Sequence, residues 1–321
     1  MPNRYEKGSN TSTVTALTEA VPYLRLYRGQ TFVVKVGGGA LDEPGAVRQL
    51  IDQLTTLWEL GIRTVLVHGG GARVSALSRA LGAEPVFVDG RRVTDAVALD
   101  AAICGLNGAV NTRLLAEARR TGLPAVGLSG VDAGLLGARR RAPVAKGDEM
   151  VDYGFVGDLI DIRPRVLTAL LDAGFAPIVS PIAADEGGHV LNVNADTAAA
   201  ELAIALGAAK LMFLSGAPGI LADVADAGSL VPYLDLIGLD KFRAAGAIQN
   251  GMLPKVAAIE RALSGGVARV HVLGYERPGG LLAEIFTNQG VGTLVVATIG
   301  SLAPAERAAE TEAMELAEAL P

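Results

Sequence analysis

The residues of this sequence best suited to chemistry are a lysine inside an apolar run and the glycine triplets that close two such runs. In TFVVKVGGGA, Thr31–Ala40, the residues Phe32, Val33, Val34 and Val36 read as a buried strand. Gly37, Gly38 and Gly39 read as a loop where backbone can approach a ligand closely. Lys35 must either snorkel to the surface or face a negative group, because burying an unpaired ammonium is costly. TVLVHGGG, Thr64–Gly71, repeats the pattern one helix length downstream. Ligands of open α/β sheets bind beyond the carboxyl ends of the strands, so the two glycine ends point to one shared anion site. Lys255 and the turn formed by Asn192, Asn194 and Asp196 add a second cation and a carboxylate. This set suits phosphoryl transfer, which needs positioning and neutralisation of spread negative charge more than covalent help. A carboxylate acceptor, with a reference pKa of about 4, is ionised near pH 7 and needs no general base.

Other chemistries find less support. No G-x-x-x-x-G-K-[ST] motif is present, and Asp42 stands where a dinucleotide fingerprint starting at Gly37 wants its third glycine. His68, His189 and His271 lack metal-ligand spacing, and Ser129 lacks the G-x-S-x-G elbow. Cys104, the single cysteine, excludes an intramolecular disulfide and reads as a small core residue in AAICGL, which points to a cytoplasmic address. The net charge is -6 and Arg139–Arg141 is the densest basic run, which argues against nucleic acid as a partner. No stretch reaches the roughly 18 apolar residues of a membrane span, and the polar start has no signal-peptide core.

The elements that must position these residues alternate strand and helix. Half of the 321 residues are hydrophobic but only 4% aromatic, so Ala, Val, Leu and Gly pack one large α/β unit or two lobes. An amphipathic helix over Thr13–Tyr27 precedes the first strand, and Pro44–Leu60 forms a crossover helix into the second. A helix at Ala72–Leu81 leads to a short strand at Glu84–Val88, and Thr94 or Asp95 caps a long helix through Leu115. Gly105 and Gly108 weaken that helix. Ala125–Leu128 reads as a buried strand, and the turn-rich Leu135–Ile162 as inserted hairpins. Asp196 or Thr197 is the expected cap of the Ala-rich helix that ends near Gly207. Beyond it come strands at Leu211–Leu214, Val267–Leu273 and Gly292–Val296, helices at Pro254–Leu263 and Gly280–Phe286, and an Ala/Glu-rich tail from Ala303 to Leu320.

Read together, KVGGG, VHGGG, DGRRVTD, GLSGVDAG, LNVNADTAAAELA, NGMLPK and GVGTLV resemble the acetylglutamate kinases of the amino acid kinase superfamily, in that family's order and spacing. The resemblance runs from about Leu17 to Val296. It implies a three-layer αβα sandwich with a mainly parallel central sheet. It also implies phosphorylation of the side-chain carboxylate of N-acetyl-L-glutamate by ATP, the second step of arginine biosynthesis. Mg2+ is then held mainly by the nucleotide phosphates, with no metal-ligating residue assigned.

Carried over by position, Lys35 and Lys255 stabilise the transferring phosphoryl group and Asp196 orients both. Two ammonium groups would repel each other unless a carboxylate sat between them. Gly70 and Gly71 offer N–H groups to the acyl substrate, Arg92 holds its α-carboxylate, and Asn192 completes that pocket. Gly38, Ser215 and Gly219 fall on the nucleotide side. The implied organisation is an N-terminal extension (1–28), an acylamino-acid lobe that dimerises (29–207), a nucleotide lobe (208–298) and the tail (299–321).

Three stretches depart from the family pattern. Ser215-Gly216-Ala217-Pro218-Gly219 replaces Ser/Thr-Asp-Val-x-Gly, so an acidic side chain near the nucleotide is missing. Asn250-Gly251 replaces a glycine pair, and Gly274–Gly280 replaces Asp-Gly-x-x-x-His-Ala in a region the family associates with arginine. Rival readings are an N-succinylglutamate kinase, a kinase for carrier-linked aminoadipate using a basic rim of Arg139–Arg141 and Lys146, and a non-catalytic sensor of nucleotide or amino acid. The sensor reading expects loss of a transfer lysine, and both are present. In the family, an N-terminal helix links dimers into a hexamer in enzymes inhibited by L-arginine. The expectation here is therefore a homo-oligomer, dimer or hexamer, with L-arginine as effector.

Overall fold

The computed structural model describes Thr18 and residues 20–301, except residues 89, 148, 227, 247, 249, 250, 288 and 289. The start of the N-terminal helix at Thr13, the Asn250 departure and the tail beyond Ser301 lie outside the described residues. Helix α1 (residues 20–27) leads into β1 (Thr31–Val36), the short α2 (Gly38–Asp42), α3 (Pro44–Glu59), β2 (Arg63–His68) and α4 (Gly71–Ala80). The hairpin β3 (Val86–Val88) and β4 (Arg91–Val93) follows, then α5 (Ala96–Ile103), a π-helical segment (Cys104–Val110), α6 (Asn111–Thr121) and β5 (Ala125–Ser129). Next come β6 (Leu136–Arg140), β7 (Val144–Lys146), β8 (Glu149–Val151), β9 (Gly157–Ile162), α7 (Arg165–Asp172), β10 (Ala176–Ser180), β11 (Ile182–Ala184), β12 (Val190–Asn192) and α8 (Ala195–Ala205). The chain continues through β13 (Lys210–Ser215), β14 (Tyr233–Asp235), α9 (Leu236–Ala244), α10 (Met252–Ser264), β15 (Val270–Gly274), α11 (Gly280–Phe286) and β16 (Thr293–Val296).

Eight strands form the central sheet in the order β14-β16-β15-β13-β1-β2-β10-β5, parallel except where β16 runs against β15. Period-two alternation along β1 sends Phe32, Val34 and Val36 into the core shared with α3, α6 and α11. Val33 goes the other way, into the core shared with α7, α8 and α10. Helices therefore cover both faces, which is the three-layer sandwich that the family resemblance implies. Lys35 shares the parity of Val33 and is paired in register with Val67 and Phe213, so it leaves the sheet on the α8 and α10 side. Burying residues such as Val33, Val65 and Val67 stabilises this arrangement by about 1.5–3 kcal/mol each. The strand positions that flank Lys35 are thereby rigid.

A second sheet, β12-β11-β6-β9, and the hairpins β3–β4 and β7–β8 project from the central one. Of these, the antiparallel pairs β6–β9 and β7–β8 are the hairpins expected of the turn-rich Leu135–Ile162.

Four local expectations need correction. Asn194, not Asp196 or Thr197, caps α8: its Oδ1 accepts from the N–H groups of Asp196 and Thr197 at 2.9 and 3.0 Å. The long helix after Asp95 is interrupted by the π-helical segment Cys104–Val110, which contains Gly105 and Gly108, and Cys104 is exposed rather than buried. Strand β5 is half-buried because it is the sheet edge. Gly38 and Gly39 are not loop but the first turn of α2. No helix among the described residues is long and apolar enough to cross a membrane.

Candidate active site

Beyond the carboxyl ends of β1 and β2 the two glycine turns meet. A Cβ on Gly38 would lie 3.3 Å from the Gly71 nitrogen, so backbone approaches backbone where a side chain would intrude. A Cβ on Gly70 would lie 2.7 Å from Leu106 Cδ2, so this glycine lets the π-helical segment pack against the turn. The imidazole of His68 holds the turn from behind. It is fully buried, its Nδ1–H donates to Gly69 O at 2.9 Å, and its Nε2 accepts from Asn111 Nδ2 at 3.2 Å. Burial lowers its pKa to about 4, against the hydrogen bond to Gly69, so the ring is neutral and serves as a fixed strut.

Above β1, Lys35 Nζ lies 2.7 Å from Asp196 Oδ1, and Lys255 Nζ reaches the same oxygen at 3.3 Å. Each of the three residues is only 6–7% exposed. Asp196 stands in the first turn of α8, where the helix dipole favours a carboxylate. Lys255 comes from the first turns of α10 and lies over the Phe213 ring, 4.7 Å from its centroid. Burial pushes the Asp196 carboxyl up, but the two ammonium groups outweigh it and hold the group below its ordinary range. Burial lowers Lys255 to about 8, with Lys35 acting in the same sense and Asp196 opposing. The cluster carries two cations for one anion, which is an arrangement suited to further negative charge.

Beside this cluster lies a cavity of about 250 Å³, and Gly70, Gly71, Arg92 and Asn192 all line it. Arg92 Nη2 donates to Gly71 O at 3.0 Å and to Ser75 Oγ at 2.6 Å, while the guanidinium packs on the Phe87 ring. Its Nη1 is buried and has no hydrogen-bond partner, so one donor of the fork is left for a ligand. Burial, and Arg79 secondarily, lower the Arg92 pKa. Asn192 Nδ2 donates to Thr94 Oγ1 at 3.3 Å. Arg91, Arg141 and Asp158 also line the cavity, and Arg141 Nε donates to Asp158 Oδ1 at 3.0 Å. Sequence reasoning places Arg141 only on a solvated rim, since its neighbours give no sign of the fold of β6 onto β9.

Ser215 and Gly219 lie on the loop after β13. Ser215 Oγ accepts from the Ala217 N–H at 3.4 Å. Gly219 is buried, and a Cβ there would lie 2.6 Å from Thr293 Oγ1, so it serves close packing against β16. The structure places Gly219 against Leu230 and Thr293. It also brings together a set that sequence spacing hides: His271 bridges Lys210 Nζ at 2.9 Å and Glu284 Oε1 at 2.7 Å, all buried. Burial raises Glu284, but His271 and the N–H groups of Val291 and Gly292 outweigh it and hold the group at about 2. This network ties β13, β15 and α11 together.

The sequence profile described as the amino acid kinase family matches residues 30–274. The acetylglutamate kinase of Myxococcus xanthus is 46% identical over 288 residues, covering 88% of this chain and 94% of that protein. That of Archaeoglobus fulgidus is 40% identical, covering 88% and 98%. Among solved structures, the N-acetylglutamate synthase of Neisseria gonorrhoeae with coenzyme A and N-acetyl-glutamate matches with a TM-score of 0.76 and 31% identity over 88% of this chain. This chain spans 63% of that synthase's length. The same synthase with coenzyme A and L-arginine gives a TM-score of 0.74 at 29% identity, covering 89% of this chain and 65% of the synthase. With the profile spanning most of the fold and the relatives covered almost end to end, the chain belongs to the amino acid kinase family and, within it, to the acetylglutamate kinases.

Proposed function

We propose that this chain transfers the γ-phosphoryl group of ATP to the side-chain carboxylate of N-acetyl-L-glutamate, in arginine biosynthesis. The observation that carries the reading is the buried Lys35–Asp196–Lys255 cluster beside the glycine turns. A carboxylate oxygen of the acceptor attacks the γ-phosphorus and a new P–O bond forms. The bond from the γ-phosphorus to the β–γ bridging oxygen breaks, and its electron pair leaves on ADP. No proton has to be removed, which agrees with a neutral, buried His68 that is no base. Lys35 and Lys255 neutralise charge on the phosphoryl oxygens in flight, and Asp196 keeps the two ammonium groups at working distance.

The residues present fit a nucleotide. Gly38 and Gly71 leave a cradle that a Cβ would fill, and N–H groups at such a turn suit phosphate oxygens. No metal-ligating residue of this chain is assigned in this reading, in which Mg2+ would be held by the phosphate oxygens. If bound there with ATP, Mg2+ would supply charge neutralisation at the phosphates. The unpartnered Arg92 Nη1 takes the substrate α-carboxylate, Asn192 and the Gly70 and Gly71 N–H groups orient the acyl amide, and residues 29–207 form the acceptor lobe facing a nucleotide lobe at 208–298. The relatives named acetylglutamate kinase support this acceptor, and the synthase relative found with L-arginine supports binding of L-arginine; the reading adds L-arginine as effector and a homo-oligomer.

The test is a hydroxamate-trapping assay with N-acetylglutamate, N-succinylglutamate and N-acetylaminoadipate. Turnover of N-acetylglutamate at the highest kcat/KM is expected. Preference for either of the others reassigns the acceptor.

A further inference from the structure

Two of the departures from the family pattern, Gly216 and the Gly274–Gly280 stretch, are far apart in sequence but touch in the fold. Strand β15 pairs with β13 so that Gly274 lies opposite Ser215, and the Tyr275 N–H donates to Ser215 O at 3.0 Å. Tyr275 thus emerges at the carboxyl end of the sheet, between the loop after β13 and the first turn after β1. A Cβ on Gly216 would lie 3.9 Å from Tyr275 Cε1, and a Cβ on Gly39 would lie 3.2 Å from its hydroxyl. The ring therefore lies across both glycines, over ground that a side chain at either position would occupy. Its hydroxyl donates to Glu43 Oε1 at 3.2 Å, across the junction of α2 and α3. Desolvation, then the bond to Glu43, hold the phenol above its usual range, so it stays a protonated donor.

We propose that Tyr275 is a nucleotide-positioning residue: its ring walls the crevice between Gly39 and Gly216, and its hydroxyl, poised by Glu43, hydrogen-bonds the ribose–phosphate segment of a nucleoside triphosphate. It supplies at position 275 the polar contact that the missing acidic side chain at 216 does not. A phenol serves this role well, because with its own proton given to Glu43 its oxygen still accepts from a ribose hydroxyl. The inference rests on the nucleotide side of the function proposed above.

Calorimetric titration of the full chain with MgATP tests it independently of which acceptor is phosphorylated. Tyr275→Phe keeps the ring and loses the hydroxyl, and should weaken MgATP binding about 3- to 10-fold, the range one hydrogen bond supplies. Tyr275→Gly should weaken it further, and adding Gly216→Asp to Tyr275→Gly should restore part of the loss, whereas Gly216→Asp alone should not improve binding. In steady-state assays the MgATP KM should rise while the N-acetylglutamate KM stays within about twofold, a split that general loosening of the fold would not give. Additive effects of the two substitutions, or a Tyr275→Phe affinity equal to the parent's, would overturn the inference. Wild-type protein that binds MgATP but phosphorylates no acceptor would sink the kinase reading and leave this one standing. If Tyr275→Gly fails to fold, Tyr275→Phe and Glu43→Gln carry the test, the latter expected to weaken MgATP binding by freeing the hydroxyl from its support.

Discussion

Lys35 and Lys255, carried by a strand and a helix far apart in the sequence, share a single oxygen of Asp196, at 2.7 and 3.3 Å. The sharing fixes the sign of the site. Two buried cations against one anion leave an excess positive charge that water cannot screen, and a low-dielectric site makes each such charge count for more. In the function proposed above, a transferring phosphoryl group supplies the missing negative charge.

Removing either lysine should therefore act on the chemical step. Lys35→Ala and Lys255→Ala are each expected to lower kcat by about 10²-fold or more, the scale of losing one charge-stabilising donor, with much smaller changes in either KM. Steady-state kinetics decides the matter, and a loss confined to KM would mean the lysines only bind substrate. Asp196→Asn leaves two ammonium groups facing each other, so it should lower both Tm and the Lys255 pKa, and MgATP should recover more Tm in this variant than in the parent.

The pH profile follows from Lys255, whose pKa is lowered to about 8 by burial. The protonated form is the active one, so kcat/KM for MgATP should fall as pH rises through about 8, since that ratio reports the free protein. In the ternary complex the phosphates favour the charged ammonium, so the corresponding limb of kcat should lie at higher pH. Stability runs the other way. Between about 8 and the unfolded value near 10.5 the unfolded chain binds the extra proton, so this group adds stability as pH rises, on the order of 3 kcal/mol when complete. Lys255→Met should abolish both dependences, as measured by initial rates and by chemical denaturation across the pH range.

In the function proposed above, Arg92 addresses the other substrate. Its Nη2 is already committed to Gly71 and Ser75, and its buried Nη1 is unpartnered. Arg92→Ala should raise the acylamino-acid KM by about 30-fold, which is ~2 kcal/mol for a charged hydrogen bond, and leave the MgATP KM nearly unchanged. Arg92→Lys should not rescue it, because a point charge cannot keep two bonds to the protein and still meet the ligand. A larger change in the MgATP KM would mean that the acceptor and nucleotide sides are assigned the wrong way round.

How much of this was readable in the sequence depends on whether the signal is local. Strands β1 and β2 are apolar runs closed by glycines, and the alternation that aims Lys35 at Asp196 is written in Phe32 to Val36. The cap of α8 is not, because Asn194 and Asp196 are both good caps two residues apart, and only the carboxylate's ion pairs decide which one is spare. Cys104 reads as core from its apolar neighbours in AAICGL, but it is exposed where the π-helical segment begins. β14 and α9 are short, carry no clear period and escape the reading altogether. Contacts such as Tyr275 with Glu43, or His271 with Lys210, depend on strand order, which no local pattern encodes.

The last prediction concerns assembly. Along α1, Tyr27 is buried and packs edge-on against Phe32, with ring centroids 5.2 Å apart, so this face of the helix docks on its own chain. Leu26, next to it, is 62% exposed and points away from that contact. A helix this short is marginal in water unless its apolar residues find partners, and the outward face is the one left to meet another copy. Leu26→Glu should therefore leave folding and the monomer's thermal transition unchanged, because nothing buried is disturbed, while reducing the hexamer expected of the parent to dimers in light scattering. The substitution is a cleaner probe than removing the helix, which would uncover Phe32 along with the interface. If the parent is itself a dimer, or if Leu26→Glu keeps the hexameric mass, α1 serves only its own chain and the dimers are joined elsewhere. An L-arginine titration of both proteins completes the argument: inhibition that depends on assembly should be present in the parent and weakened in the variant.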